Sequence, residues 1–240
     1  MILEIDAGNT AIKWRVVNGG ASLERGSATH ERETWTPMLA RGGALSRVRV
    51  SNVCGVDLEQ ELRRWVRQQA GLSIEVARSE PSAAGVTNGY REPEKLGVDR
   101  WLAVVAAWNT VGSPCVVVDA GTTVTVDFIG CGGRHLGRYI VPGEQMMYRA
   151  LFSGTKGVRF DPGQNHSLLP GRDTGEAVEN GCRVLIESFV VRSLAWFREN
   201  EKEATLVLTG GGVGQFDAAI RENARHIPDL VLDGLGYALP

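Results

Sequence analysis

Hydrophobic and polar residues alternate near the start of the chain, and this pattern predicts a β-hairpin. The first stretch, Met1 to Leu3, is apolar, and the second, Ile12 to Val16, alternates apolar with basic residues. A period of two residues is typical of a half-buried strand. Gly8 and Asn9 lie between the two stretches and favour a tight turn. We therefore expect strand, turn and strand, with Asp6 at the end of the first strand.

The same kind of pattern predicts the later elements. Further strands are expected at Ala21–Ala28, Arg47–Val53, Ser73–Val76, Val124–Ile129, Arg138–Val141 and Thr205–Leu208, with a short strand or extended segment at Leu230–Leu232. Helices are expected at Thr34–Ala40 (weakly), Leu58–Gln69, Trp101–Trp108, Glu144–Leu151 and from Asp173 to about Asn200. Ser153–Arg172 is rich in glycine, proline and polar residues and is expected to be a long loop. Strands followed by helices favour an α/β fold with a mixed sheet.

A segment in the middle of the chain repeats the N-terminal turn. Asp119-Ala120-Gly121-Thr122-Thr123 follows an apolar stretch, as Asp6-Ala7-Gly8-Asn9-Thr10 does. Two matched copies indicate a duplicated domain with a shared cleft. The break at Gly112-Ser113-Pro114 predicts a junction there. We expect domains 1–112 and 113–240, with the extreme C-terminus able to pack back on the first.

Both turns carry groups that bind phosphate. Glycine lets the backbone approach a ligand closely, and consecutive N–H groups form an anion-binding concavity. The side chains of Asn9, Thr10, Thr122 and Thr123 can add donors, and Lys13 can add a positive charge. The aspartates that end the two strands can hold hydrated magnesium or another cation. A single Asp-Ala-Gly turn could be ordinary hairpin chemistry, but two matched copies favour phosphate binding.

A third glycine cluster, Gly210 to Gly212, follows the strand expected at Thr205–Leu208. A turn between strand and helix can hold a phosphate or a flat ring against bare backbone. An ordinary turn explains the cluster equally well. The chain contains no GxxxxGK[ST] segment, and no GxGxxG follows an expected strand, so neither a Walker loop nor a Rossmann fingerprint is indicated.

Asp99 is the candidate general base. Phosphoryl transfer to a hydroxyl needs a carboxylate that orients the acceptor and receives its proton. Asp99 comes just before the expected helix at Trp101, and Gly97 allows close approach. An aspartate at a helix start could instead satisfy backbone N–H groups. Arg100 could bind a carboxylate of the acceptor or form a surface salt bridge.

Composition excludes several classes of protein. The 240 residues are 43% hydrophobic and 22% charged, with a net charge of −2, so nothing favours nucleic acid or an anionic membrane. No apolar window is long enough for a membrane helix. The four cysteines are dispersed, which favours free thiols in a reducing cytoplasm over disulfides or a zinc site.

The motifs taken together resemble the type III pantothenate kinase family, a branch of the acetate and sugar kinase, Hsp70 and actin superfamily. The resemblance covers nearly the whole chain. Its markers are Asp6-Ala7-Gly8-Asn9-Thr10, Asn88-Gly89-Tyr90, Gly97-Val98-Asp99-Arg100, Asp119-Ala120-Gly121-Thr122-Thr123 and Thr209-Gly210-Gly211. The Gly-x-Asp-Arg motif and the paired Asp-x-Gly turns, in this order, are the specific ones.

The resemblance implies a fold, a reaction and a set of site residues. It implies two tandem ribonuclease H-like domains, each a mixed sheet flanked by helices, with an ATP cleft between them. It also implies phosphorylation of pantothenate to 4′-phosphopantothenate, the first step of coenzyme A biosynthesis, by a homodimer that completes the acceptor contacts near its interface. The implied residues are, for ATP, Asp6, Ala7, Gly8, Asn9, Thr10, Ala11, Ile12, Lys13 and Thr122; for pantothenate, Tyr90, Gly97, Val98, Asp99, Arg100 and Thr174; for a monovalent cation such as potassium or ammonium, Asp119.

Some of these assignments have simpler alternatives. Asp6 is our candidate ligand of the magnesium ion that accompanies ATP. Tyr90 could simply pack beside a turn, and Thr174 could be an ordinary first-turn residue of a helix. The chain could also be another small-molecule kinase of the superfamily or a non-catalytic nucleotide-binding regulator. The Asp99-Arg100 pair argues against a catalytically inactive scaffold.

Overall fold

The structure is a computed structural model that describes residues 1–41, 44–163 and 167–240. The chain forms two compact units: Met1–Thr110 together with Asp229–Pro240, and Val111–Pro228. The domain ranges 1–112 and 113–240 stay a prediction, and the last residues of the chain group with the first unit.

The described residues form twelve strands and six α-helices. The strands are β1 (Ile2–Ala7), β2 (Ile12–Asn18), β3 (Ala21–Ala28), β4 (Arg47–Asn52), β5 (Ile74–Val76), β6 (Ser82–Ala83), β7 (Val86–Thr87), β8 (Cys115–Ala120), β9 (Thr123–Gly130), β10 (Arg134–Pro142), β11 (Thr205–Thr209) and β12 (Ala224–His226). The helices are α1 (Val56–Ala70), α2 (Val98–Val111), α3 (Glu144–Gly154), α4 (Thr174–Arg198), α5 (Ala218–Glu222) and α6 (Leu230–Ala238). Within these ranges no helix has the length and apolar character needed to cross a membrane.

The first unit is built on a mixed sheet with the strand order β3-β2-β1-β4-β5. β1 pairs antiparallel with β2 and parallel with β4. In β2 the side chains of Ile12, Trp14 and Val16 are buried, so the alternation predicted there is confirmed. The sheet's core also includes Trp35, whose ring packs edge-on against that of Trp65 at 5.4 Å between centroids.

The sheet of the second unit repeats this arrangement. Its strands lie in the order β10-β9-β8-β11-β12. β8 pairs antiparallel with β9 and parallel with β11, as β1 pairs with β2 and β4 in the first unit. Each unit therefore places its first strand centrally, with a hairpin on one side and parallel strands on the other. The predicted α/β fold of two ribonuclease H-like units is confirmed.

The C-terminal segment contradicts the sequence prediction. Leu230–Leu232 belongs to helix α6 and not to a strand. The predicted segment ended at Leu232 and so did not include Leu235. Leu232 and Leu235 are three residues apart, are both buried and share one face of the helix. A Cβ at Gly234 would overlap the backbone of Leu102, so glycine lets α6 approach α2 closely.

A buried ionic network ties α6 to β1 within the first unit. Glu4 is 2% exposed and accepts hydrogen bonds from Arg15 at 2.7 Å and Arg49 at 3.2 Å. Arg15 also donates to Asp233 at 2.6 Å. Loss of one partner would leave an uncompensated buried charge, which costs about 3–5 kcal/mol.

Helix α4 of the second unit starts where the sequence predicts. Asp173 is the N-cap, and its side chain accepts a hydrogen bond from the Glu176 N–H at 2.9 Å. The Glu176 carboxylate reaches back to the Arg172 N–H at 2.8 Å, which is close to a capping box.

Several predicted boundaries change. Helix α3 runs to Gly154, so the loop predicted at Ser153–Arg172 begins two residues later than expected. Residues 164–166 of this loop lie outside the described residues. The weak helix predicted at Thr34–Ala40 is a pair of 3-10 turns, Arg32–Thr34 and Thr36–Leu39. The short strands β6, β7 and β12 were not predicted, because two or three residues carry no visible period.

Candidate active site

The first turn closes between β1 and β2 with its polar groups toward solvent. The Gly8 N–H donates to the Ala11 carbonyl at 3.2 Å. Lys13 is the cross-strand partner of Asp6, and directly opposed residues share one face of a sheet. Asn9, Thr10 and Lys13 are exposed and Asp6 is half-buried. The turn therefore offers amide, hydroxyl and ammonium donors beside one carboxylate.

Groups that were not predicted hold this turn from behind. The Ala7 carbonyl accepts from the Val53 N–H at 3.1 Å and the Cys54 thiol at 3.3 Å. The Gly8 carbonyl accepts from the same thiol at 3.1 Å and lies 2.9 Å from His30 Nε2. These side chains come from separate parts of the chain, and no local motif announces them.

Asp99 lies inside a helix and not before one. Helix α2 begins at Val98, three residues earlier than predicted, so Asp99 and Arg100 occupy its first turn. Asp99 Oδ1 accepts from the Arg100 N–H at 2.8 Å, which suits a carboxylate near the positive end of a helix. A Cβ at Gly97 would come within 2.7 Å of the same oxygen. The glycine at 97 is therefore required by the position of the Asp99 carboxylate.

The structure brings Asp6 and Asp99 into the same neighbourhood within the first unit. Burial raises the pKa of the Cys54 thiol, and the negative charges of Asp6 and Asp99 raise it further. Both carboxylates therefore lie within electrostatic reach of one side chain. The turn predicted to bind phosphate and the predicted general base therefore both lie near Cys54.

Burial and hydrogen bonds hold the other residues of the first unit that are predicted to bind the acceptor. Arg100 is 3% exposed, so the alternative of a surface salt bridge is wrong. Tyr90 is half-buried, and its N–H donates to Asn88 Oδ1 at 3.0 Å. The amide of Asn88 donates to the carbonyls of Glu80 and Pro93. Asn88 thus fixes the loop that carries Tyr90.

The second turn is held by backbone from two other segments. The Gly121 N–H donates to the Thr123 carbonyl at 3.0 Å. The Gly143 N–H donates to the Thr122 carbonyl at 3.0 Å, and the Gly212 N–H donates to the Ala120 carbonyl at 2.8 Å. The third glycine cluster is therefore part of the second turn.

Gly210 has the tightest position in this cluster. Its φ is +93°, and a Cβ there would overlap both the Asp119 carboxylate and the Ala120 carbonyl. Only glycine combines this backbone angle with this contact. Thr122 is exposed at the tip of the turn, and Thr174 is exposed in the first turn of α4.

A cavity opens beside the second turn and carries charged groups that were not predicted. Its lining includes Gly121, Gly143 and Gly212 as well as Glu144, Arg183 and Glu187. Arg183 Nε lies 3.6 Å from Glu144 Oε1. Glu187 accepts from the Asp217 N–H at 2.8 Å, and burial raises the pKa of the Glu187 carboxyl.

The donor atoms at the two aspartates fit the cations implied for them. Potassium and magnesium bind oxygen ligands. At Asp119 the carboxylate and the Ala120 carbonyl are both oxygen donors close to Gly210. At Asp6 a single carboxylate lies near the end of β1, beside exposed groups that can donate hydrogen bonds to phosphate. One carboxylate suits magnesium, which takes its other ligands from phosphate and water oxygens.

Comparison with solved structures shows which fold the chain shares with known proteins. A protein from Sinorhizobium meliloti assigned as a 2-dehydro-3-deoxygalactonokinase has a similar structure, with a TM-score of 0.61 over 98% of this chain and 97% of that one, at 14% identity. This likeness shows that the two chains share one fold.

Sequence comparison then gives the family. The family model for type III pantothenate kinase matches residues 2–195. The type III pantothenate kinase of Pseudomonas aeruginosa (strain LESB58) is 38% identical over 247 residues, covering 100% of this chain and 99% of its own. That of Chromohalobacter salexigens is 39% identical over 246 residues, covering 100% of this chain and 88% of its own. The chain belongs to the type III pantothenate kinase family.

Proposed function

We propose that this chain transfers the γ-phosphoryl group of ATP to the primary hydroxyl of pantothenate and forms 4′-phosphopantothenate, the first step of coenzyme A biosynthesis. One observation carries the proposal beyond family membership. A buried arginine and an aspartate stand in the first turn of α2, and that aspartate shares its neighbourhood with the turn at Asp6. A phosphate turn beside a general base is what phosphoryl transfer to a hydroxyl needs.

Asp99 is the proton acceptor in this proposal. The pantothenate hydroxyl donates a hydrogen bond to the Asp99 carboxylate, which orients it and takes its proton. The bond between the hydroxyl oxygen and the γ-phosphorus forms as the bond from that phosphorus to the ADP oxygen breaks, and ADP leaves. The positively charged guanidinium of Arg100 binds the pantothenate carboxylate. Gly97 and Val98 supply backbone contacts, and Tyr90 and Thr174 supply side-chain contacts. Positioning and charge neutralisation then provide most of the acceleration.

The two turns would bind the phosphates of ATP. Asp6 to Lys13 supplies N–H groups, Asn9, Thr10 and the Lys13 ammonium, and Thr122 supplies a hydroxyl at the second turn. Kinases use ATP with a divalent metal, which would neutralise the negative charge that develops on the phosphates. We assign magnesium to Asp6 and a monovalent cation, potassium or ammonium, to Asp119, because both sites present oxygen donors.

We also infer that the enzyme is a homodimer. Large apolar side chains are exposed on β10 and α4, among them Tyr139, Ile140, Leu185 and Trp196. The rings of Tyr139 and Trp196 both pack against Phe128, so β10 and α4 contribute to one apolar surface. Such patches mark interaction sites. Sedimentation of the protein should give a dimer, and Leu185→Glu should shift it to monomer; a wild-type monomer at micromolar concentration would contradict this.

We expect the enzyme to act in the cytoplasm. All four cysteines are free thiols, and a reducing compartment preserves thiols.

Asp99→Asn tests the catalytic assignment. We expect turnover with ATP, magnesium, potassium and pantothenate to fall by about 10²–10⁴-fold while the affinity for ATP stays nearly unchanged. Asp57→Asn is the matched control, because Asp57 is an exposed aspartate in the first turn of another helix, α1. Near-wild-type turnover of Asp99→Asn would overturn the role of Asp99.

A panel of hydroxyl acceptors separates the remaining alternatives. Transfer to another acceptor but not to pantothenate would identify a different small-molecule kinase of the same fold. ATP binding without transfer to any acceptor would favour a nucleotide-binding regulator.

A further inference from the structure

Two side chains converge on one carbonyl of the first turn. His30 Nε2 lies 2.9 Å from the Gly8 carbonyl oxygen, and Cys54 Sγ lies 3.1 Å from it. The two side-chain atoms are 3.7 Å apart. A carbonyl oxygen has two lone pairs and only accepts, so His30 Nε2 and Cys54 Sγ both act as donors. The Gly8 carbonyl is therefore held by two donors from outside the hairpin.

This arrangement fixes the direction of the next amide. In a trans peptide the C=O and N–H groups point in opposite directions, and the described part of the chain contains no cis peptide bond. Because the Gly8 carbonyl is directed at His30 and Cys54, the Asn9 N–H points the opposite way. Within residues 1–41, 44–163 and 167–240, this N–H donates to no protein acceptor. It is an oriented donor on the exposed side of the turn.

The neighbouring peptide serves a different purpose. The Ala7 carbonyl is held by Val53 and Cys54, and the Gly8 N–H of the same peptide donates to the Ala11 carbonyl. That peptide closes the hairpin, and only the next one is aimed outward. Cys54 contacts the carbonyls of both peptides, whereas His30 contacts that of Gly8, so the His30 contact is separable from those that form the turn.

We propose that His30 and Cys54 are positioning residues that aim the Asn9 N–H at a phosphate oxygen of ATP. Preorganised N–H donors bind phosphate without reorganising when the ligand arrives. The inference rests on the proposed function in so far as it takes ATP to be the ligand of this turn.

The chemistry of the two donors suits a permanent support. Burial and the charges of Asp6 and Asp99 raise the pKa of Cys54, so its sulfur keeps the hydrogen that it donates. His30 is exposed, so its replacement leaves the hydrophobic core untouched. A change in ATP affinity on replacing His30 therefore reports on the turn and not on the stability of the fold.

The test is the dissociation constant for magnesium ATP, measured by calorimetry without pantothenate. The double variant His30→Leu/Cys54→Ala removes both donors and should raise this constant about tenfold to a hundredfold, the effect of losing one hydrogen bond to a charged group. His30→Gln and Cys54→Ser keep a donor at each position and should stay within about twofold of wild type. His226→Leu is the control, because His226 is exposed on β12 of the second unit.

The outcomes separate positioning from general damage. A larger ATP constant in the double variant, restored by the Gln and Ser replacements, with the KM for pantothenate and the melting temperature unchanged, supports the inference. An unchanged ATP constant overturns it, as does an equal rise in His226→Leu or a rise that only follows a lower melting temperature.

Failure of the proposed function gives a different result. A wild-type protein that binds ATP but does not phosphorylate pantothenate rejects the reaction while the comparison of ATP constants still decides the role of His30 and Cys54. A wild-type protein that does not bind ATP overturns both.

Discussion

The two Asp-Ala-Gly turns have nearly the same sequence but are held in place differently. In the first, Ala7 pairs with Ile12, and the four residues between them are supported by the side chains of His30 and Cys54. In the second, Ala120 pairs with Val124, so the connection is one residue shorter. Backbone groups of Gly143 and Gly212 hold it.

This difference separates two ways of building a phosphate site. Side-chain support at the first turn leaves its exposed face free for Asn9, Thr10 and Lys13. Backbone support at the second turn requires glycines, because a Cβ at Gly143 would lie 2.6 Å from the Gly121 carbonyl oxygen. We therefore expect substitution in the supports of the first turn to leave the stability of the fold nearly unchanged. Substitution of the glycines that support the second turn should lower that stability.

The largest effect is expected from Gly210→Ala. The new Cβ would overlap the Asp119 carboxylate and the Ala120 carbonyl at a backbone φ of +93°, so the second turn must shift. We expect the free energy of unfolding to fall by about 3 kcal/mol, since overpacking and left-handed backbone both contribute. Denaturant unfolding measures this change.

Two other glycines complete that test. A Cβ at Gly211 meets no atom within 4 Å, so Gly211→Ala should change stability by less than about 0.5 kcal/mol. In the first turn a Cβ at Gly8 would lie 3.4 Å from the Ala11 carbonyl oxygen, which a small adjustment relieves. If Gly8→Ala destabilised the protein as much as Gly210→Ala, the contrast between the turns would be wrong.

The two turns also differ in the residue that stands opposite the aspartate. Lys13 stands opposite Asp6 in the first turn, and Thr125 stands opposite Asp119 in the second. Lys13→Met should raise the dissociation constant for ATP about fivefold, equivalent to about 1 kcal/mol for an exposed charge. The effect should shrink at high salt because exposed charges are screened. Lys202→Met, at another exposed lysine, is the control, and an equal loss there would indicate a general charge effect only.

The repeat itself could be predicted from the sequence, because each copy combines an apolar strand with an Asp-Ala-Gly turn. The pattern recurs as the same strand order in both units. The sequence also predicts a general base and acceptor-binding residues in the first unit from the Gly-x-Asp-Arg motif. Their place inside the first turn of α2 was not predicted, because Val98, Asp99 and Arg100 do not extend the apolar run that begins at Trp101.

The supports of the turns could not be predicted for two physical reasons. His30 and Cys54 reach Gly8 only because β-strands from separate parts of the chain form one sheet, and no spacing in the sequence reports that. Gly143 supports the second turn through its N–H and its lack of a side chain. In the sequence, Pro142-Gly143 indicates only the end of a strand, so this role could not be predicted. Helix α6 was not predicted because only Leu230–Leu232 were read as one element, whereas the apolar face of the helix continues to Leu235.

Thr125→Val tests what lies opposite Asp119. The Thr125 hydroxyl is buried and has no hydrogen-bond partner among the described residues, so an isosteric valine removes an unsatisfied polar group. The free energy of unfolding should rise by about 1 kcal/mol, or about 2–4 °C in Tm for a chain of this size. Turnover in potassium should stay unchanged. If turnover fell and its dependence on potassium weakened, the hydroxyl would be a ligand of the cation at Asp119, and the second turn would depend on a side chain after all.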